Sequence, residues 1–287
     1  MLTIIQLLTG TMDLETAPPR AGFINGIWWS MEPIEHVFLP EQNIVGCPSD
    51  MKKVEGMMLD DGVGMSWQTN SIEFLQKTTC TSWLEKKFPE RCLSFDRDKW
   101  LTLSSRFQRK FMSYCVDTYE WPNKKGEYPW VMVTWPEAHD LCSSVGKRMC
   151  TEDEWTFACE GEEATPFPYG YSRNSQECNL DKRWRQYSSP ALADRGSQRC
   201  SRELKRLWQG KRSGEMPQCA SSFGVEDMNG SIDEWTKSTR GGKYPSILKG
   251  GYWGPVRTRC RPSTRNHGPG HTFYQQGFRC CADSSHK

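Results

Sequence analysis

Thirteen cysteines spread along 287 residues constrain this chain more than any other feature. They stand at positions 47, 80, 92, 115, 142, 150, 159, 178, 200, 219, 260, 280 and 281. No two are spaced Cys-x-x-Cys, so the arrangement of zinc ribbons and thioredoxin-type redox pairs is absent. Dispersed cysteines without metal spacing point to disulfides and to an oxidising compartment. The number is odd, so at least one thiol stays outside the bridges or pairs with another chain. The N-terminus is a poor signal peptide. Leu2 to Leu8 is apolar but short, and neither Lys nor Arg precedes it. No run approaches the roughly 18 apolar residues of a membrane span. The cysteines nevertheless favour an extracytoplasmic location, periplasmic or secreted.

A hydrophobic fraction of 36% is low, but 13 Trp and 12 Phe supply large apolar bodies, while 24 Gly and 17 Pro break the chain often. The expected core is built from few big residues under many loops. A formal net charge of +2 gives no overall basic field for nucleic acid. Residues 1–45 read as an N-terminal arm, weakly ordered or partly processed, and 46–283 as the folded domain.

Local structure is best specified between 131 and 161. Val131-Met132-Val133 is extended. Thr134 stands three before Glu137, a capping box, with Pro136 in the first turn. Ala138, Leu141, Cys142 and Val145 then recur on one apolar face, and Gly146 ends the helix. Thr151 and Glu154 open a second helix in the same way, with Trp155, Ala158 and Cys159 on its inner face and Gly161 at its end. Both helical cysteines therefore point inward. Val54 to Met58 and Lys110 to Asp117 read as strands, Trp83–Phe88 as a short helix, and Arg202–Gln209 as a basic helix. Asn229-Gly230 is a turn.

The stretch from Lys249 to Cys281 is neither helical nor cleanly alternating. Arg257, Arg259, Arg261 and Arg265 interleave there with Tyr252, Trp253, Phe273 and Tyr274. With Tyr252 and Trp253, Arg257, Arg259 and Arg265 can line a cleft for a carboxylate-bearing ligand. Alternatively, alternate arginines pair with Asp117, Glu120 or Glu154 for structure. His267 and His271 flank Gly268-Pro269-Gly270, which keeps them off one helical face. They are either exposed loop residues or two ligands of an iron or copper site completed by Asp227 or Asp233.

VTWPEAHDLCSSVGKRMCTEDEWTFAC, FGVEDMNGSIDEWT, LKGGYW and QGFRC occur in an order and spacing that resembles the sulfatase-modifying, formylglycine-generating enzyme family, over roughly residues 110–281. That resemblance implies an α+β, C-type-lectin-like fold, low in regular secondary structure. It pairs Cys142 with Cys280 and Cys159 with Cys260, and extends to a bridge between Cys150 and Cys281. Partners for Cys47, Cys80, Cys92, Cys115, Cys178, Cys200 and Cys219 stay unassigned. It also implies structural calcium, a cation that takes six to eight oxygens, near Asn179, Asn229, Ser231, Asp233 and Glu234.

Active members carry two cysteines between the Gly-Gly and the structural cysteine, holding Cu(I), an ion suited to soft sulfur. Here the interval Tyr252 to Arg259 contains none. The resemblance therefore implies a member without the catalytic pair, a binding or maturation module for a peptide, protein or small polar ligand. The alternative is an oxygen-dependent oxidoreductase with iron or copper, for which His267, His271 and Tyr274 are the catalytic candidates.

Overall fold

The computed structural model describes residues 21–24, 27–30, 46–60, 72–84 and 91–284. A hairpin of β1 (Ala21–Ile24) and β2 (Ile27–Ser30) is what it describes of the expected arm; the rest of 1–45 lies outside the described residues. The next elements are β3 (Met51–Leu59), α1 (Ile72–Thr79), β4 (Cys80–Trp83), β5 (Cys92–Phe95), α2 (Arg97–Ser104) and β6 (Arg109–Asp117). β3 and β6 pair antiparallel from Met51 opposite Asp117 to Leu59 opposite Arg109. The helix expected at Trp83–Phe88 is corrected at its first residue. Trp83 ends strand β4, which pairs with β5 and is tied to it by the Cys80–Cys92 bridge. Residues 85–90 lie outside the described ones.

α3 (Trp135–Ser144), β7 (Arg148–Met149) and α4 (Glu152–Glu160) follow. Both capping boxes form: the Thr134 and Thr151 side chains accept from the backbone of Glu137 and Glu154, whose carboxylates accept in return. Each box satisfies two N–H groups that a helix start otherwise leaves open. Gly161 ends α4 at φ 65°, a conformation that favours glycine. Ala138, Leu141, Cys142, Trp155, Ala158 and Cys159 are buried, as the periodicity requires.

α5 (Ser189–Leu192) and α6 (Gln198–Leu207) cross the long turn-rich region. α6 starts earlier than the basic run suggests because the Ser197 side chain accepts from the Cys200 N–H at 3.1 Å. The chain ends in β8 (Asp233–Lys237), β9 (Ser246–Lys249), β10 (Ser263–Thr264), β11 (Gln276–Phe278) and β12 (Cys280–Asp283).

Two four-stranded sheets result, in the orders β3-β6-β12-β7 and β10-β9-β8-β11. The C-terminal stretch belongs to both. β11 runs parallel to β8 in one sheet, and β12 runs antiparallel to β6 and β7 in the other. Arg279, alone between β11 and β12, is 0% exposed, as is Glu234. Its Nε and Nη2 donate to the Glu234 carboxylate at 2.7 and 2.8 Å, and its remaining donors reach the carbonyls of Asp117, Thr118 and Glu226. Trp155 Nε1 donates to the same carboxylate at 2.8 Å. One buried ion pair thus joins both sheets to α4.

Six disulfides take up twelve cysteines: 47–115, 80–92, 142–280, 150–281, 159–260 and 178–219. The adjacent Cys280 and Cys281 fasten the C-terminal strand to α3 and to the residue before Thr151. Cys200, buried on α6, stands outside the bridges.

Candidate functional site

The edge of the second sheet and the loop after it enclose a cleft of about 510 Å³. Its position follows from the strands. Asp233 begins β8, and Gln276 begins β11 directly beside it. Lys249 ends β9, after which Gly250 and Gly251, at φ 87° and 72°, turn the chain away. A Cβ on Gly250 would sit 2.8 Å from the Met228 carbonyl oxygen, so this turn requires glycine. Tyr252, Phe273, His267 and His271 line the cleft as its aromatic side, and Arg257, which donates to the Ser263 carbonyl and Thr264 Oγ1, lines it with Val256.

The aromatic side is continuous. The His267 and His271 rings stack with centroids 4.1 Å apart, and Phe273 lies 6.0 Å from His271 and 4.7 Å from both Tyr187 and Tyr274. His271 Nδ1 donates to Gln276 Oε1 at 2.9 Å. Burial, and then His271, hold His267 below its ordinary value, which favours the neutral ring. Asp233 is pushed up to about 7 by burial, against the pull of Arg257. Lys249 is pushed down to about 7 by burial; its ammonium donates to the Arg261 carbonyl at 2.7 Å. The cleft thus offers stacking surfaces, the arginines Arg91 and Arg257, and a buried acid, Asp233, raised to about 7.

Several expected cleft residues lie elsewhere. Trp253 is 1% exposed and packs on Trp208 and Tyr274 in the core. Arg259 is buried, its guanidinium 5.8 Å from the Phe95 ring centre. Arg265 pairs with Glu152, and Arg261 with Glu160 at 2.5 Å. The structural reading of alternate arginines therefore describes these two, with α4 carboxylates as partners. Asp117 and Glu154 are instead taken by Lys147 and Arg148, at 2.7 Å each. Tyr252 and Arg257 do line the cleft. Tyr274 is buried behind the aromatic side. Lys249 and Gln276 also line the cleft; in the sequence only the apolar pair Ile247-Leu248 before a charge points to Lys249.

The oxygens expected near calcium divide. Asn179 Oδ1 and Asn229 Oδ1 are buried without a hydrogen-bond partner, the condition in which a hard cation is a fitting occupant. Ser231 lies against them, its N–H donating to the Asn179 carbonyl at 2.9 Å. Glu234 is engaged by Arg279 and Trp155, and Asp233 lines the cleft. Among the described residues no cluster of three or more His, Cys, Asp or Glu side chains could hold a metal ion. Cys260 is bonded to Cys159.

Glu120 and Asp227 feel the charge of the Arg279 guanidinium, but only Glu234 is bonded to it. Burial and then Asp227 hold Glu120 well above the usual carboxylate range, and burial lifts Asp227 to about 7. A raised folded value means that the folded state binds protons the unfolded chain has released. Stability from Asp227 and Asp233 is therefore full below about pH 4 and declines as pH rises through 7. Lys249 acts in the opposite sense above that window, since its depressed value relieves a burial penalty as pH rises from 7. Melting temperature should fall by about 5 °C between pH 4.5 and 7 and stop falling above it. Glu120→Gln should raise the neutral-pH value and flatten the slope. A melting curve that rises steadily from pH 4.5 to 7 contradicts this account.

The model of the sulfatase-modifying factor enzyme 1-like domain matches residues 73–284. "Inactive C-alpha-formylglycine-generating enzyme 2" of Mus musculus is 29% identical over 171 residues, 56% of this chain and 51% of that protein. The protein of the same name from Bos taurus is 28% identical over 169 residues, 55% of this chain and 52% of that one. The chain thus spans about half the length of these relatives. The crystal structure of CarF superposes with a TM-score of 0.50 at 12% identity, covering 82% of this chain and 98% of that one. No described helix is long and apolar enough to cross a membrane. The chain belongs to the sulfatase-modifying factor enzyme 1-like family and has its α+β, C-type-lectin-like, disulfide-rich fold.

Proposed function

We propose that this protein is an extracytoplasmic binding or maturation module that does not generate formylglycine. One observation carries the reading: Cys260 is bonded to Cys159, and the interval Tyr252 to Arg259 has no cysteine. Cu(I) needs thiolates, and this loop offers none. The relatives named as inactive support the same reading. The cleft beside Asp233 is the ligand site, taking a peptide, a protein segment or a small polar molecule. Tyr252, Phe273 and the stacked histidines give it area, and Arg257 with Asp233 orients polar groups. Asn179, Asn229 and Ser231 would hold a structural calcium, supplying hard oxygen ligands. Asp233 belongs to the cleft, and Glu234 to Arg279.

Protein purified without added metal should contain calcium but no stoichiometric iron or copper. Supplied with Cu(I), oxygen and a cysteine peptide derived from a sulfatase, it should form no aldehyde above the protein-free control. Aldehyde formation, or one equivalent of iron or copper, would overturn the proposal in favour of the oxidoreductase.

A further inference from the structure

The overall charge conceals a local concentration. Between Lys182 and Arg206 the chain carries eight basic and two acidic side chains, although the whole carries +2. The fold turns this run into two adjacent rows. α6 buries Cys200, Leu204 and Leu207 and exposes Arg199, Arg202, Lys205 and Arg206. Offsets of three and four place these cations along one side of the helix.

The segment 183–188 runs antiparallel beside that side. The Ser188 N–H donates to Glu203 Oε1 at 2.8 Å, and the Arg206 guanidinium to the Gln186 carbonyl. Arg185 Nη1 donates to the Arg206 carbonyl at 2.7 Å, and Gln209 Nε2 to the Arg183 carbonyl at 3.0 Å. Arg183 and Arg185 are thereby seated next to the basic side of α6, with Trp184 between them, 52% exposed. Of the two acids, Glu203 is paired with Arg206 and Asp194 accepts from the Gly196 N–H. Arg183, Arg199 and Arg202 have no ion-pair partner among the described residues. Crowded like charges repel, a cost that an anionic ligand removes.

We infer that this face binds a linear polyanion met outside the cytoplasm, an acidic, sulfated polysaccharide. Three features select that class. Six disulfides argue for an oxidising compartment, where nucleic acid is not the usual polyanion. The apolar side of α6 is already buried, so the helix has no apolar face left to lay into a bilayer, as an interfacial helix must. Arginine forks match sulfate and carboxylate oxygens in pairs, and the exposed indole offers a flat face to sugar C–H groups. Ten residues of helix give a strip about 15 Å long, enough for several sugar rings. Tyr187, at the end of the same segment, lines the cleft, so the strip leads to its rim.

The full chain is titrated with heparin over a salt series starting near 0.15 M. Binding is expected, weakening as salt rises. Arg183→Ala/Arg199→Ala/Arg202→Ala should bind at least tenfold more weakly, with a salt slope lower by roughly 2–3, at an unchanged melting temperature. Lys52→Ala/Lys53→Ala/Lys77→Ala, an equal loss of charge on β3 and α1, should bind as the parent does. Equal weakening by both triple variants, or no binding at about 0.15 M, overturns the inference. So does tighter binding, at the same salt, to phosphatidylserine vesicles or to a DNA duplex.

Discussion

Glu234→Ala should cost about 3–5 kcal/mol, the usual result of leaving a buried charge without its partner. Arg279 would keep its full desolvation and lose the bidentate carboxylate that faces two of its nitrogens. Trp155 Nε1 would lose its acceptor as well. Such a loss is a large part of a typical folding stability of about 5–15 kcal/mol. Urea denaturation measures it directly. The double variant Glu234→Ala/Arg279→Met should be less destabilised than Glu234→Ala alone, because the unpaired cation goes with its partner. A midpoint shift equivalent to less than about 1 kcal/mol for the single variant would remove the ion pair from its role at the sheet junction.

Cys159→Ser/Cys260→Ser should cost about 2–5 kcal/mol, since the bridge closes a long loop, with a sequence separation of 101. Both sulfurs are fully buried against the core of α4 and β3, so the serines would also bury two hydroxyls. Calorimetry on the oxidised proteins measures the difference. If the parent and the double variant unfold at the same temperature, Cys260 is not a strut, and the reading of the loop as lacking available sulfur fails with it.

Much of this was legible in the chain because it is local. The capping boxes at Thr134 and Thr151 name their own helices, and the apolar period turns Cys142 and Cys159 inward without reference to anything distant. Sheet pairing was not legible. β11 lies beside β8 across more than forty residues, and nothing in Gln276-Gly277-Phe278 announces Asp233-Glu234-Trp235 as its neighbour. The arginines show where the boundary falls. That some would pair with carboxylates followed from alternation. That Glu152 and Glu160 would supply the partners depended on how α4 rolls against β9 and β10, which is tertiary information. Trp253 and Arg259 misled for the same reason: a flexible-looking loop residue becomes core once Trp208 and Phe95 are packed over it. The basic strip was visible as composition in 182–206, but its two rows depend on side-chain bonds to backbone carbonyls of a separate segment.

The position of Arg279 bears on when the molecule can assemble. Both sheets receive a strand from residues 276–283, and two of the long-range bridges end at Cys280 and Cys281. As the chain is synthesised, everything upstream waits with two unfilled strand positions and two unpartnered thiols until these few residues emerge. Neither sheet can be completed, nor Cys142 and Cys150 oxidised to their native partners, before residues 276–283 have been made.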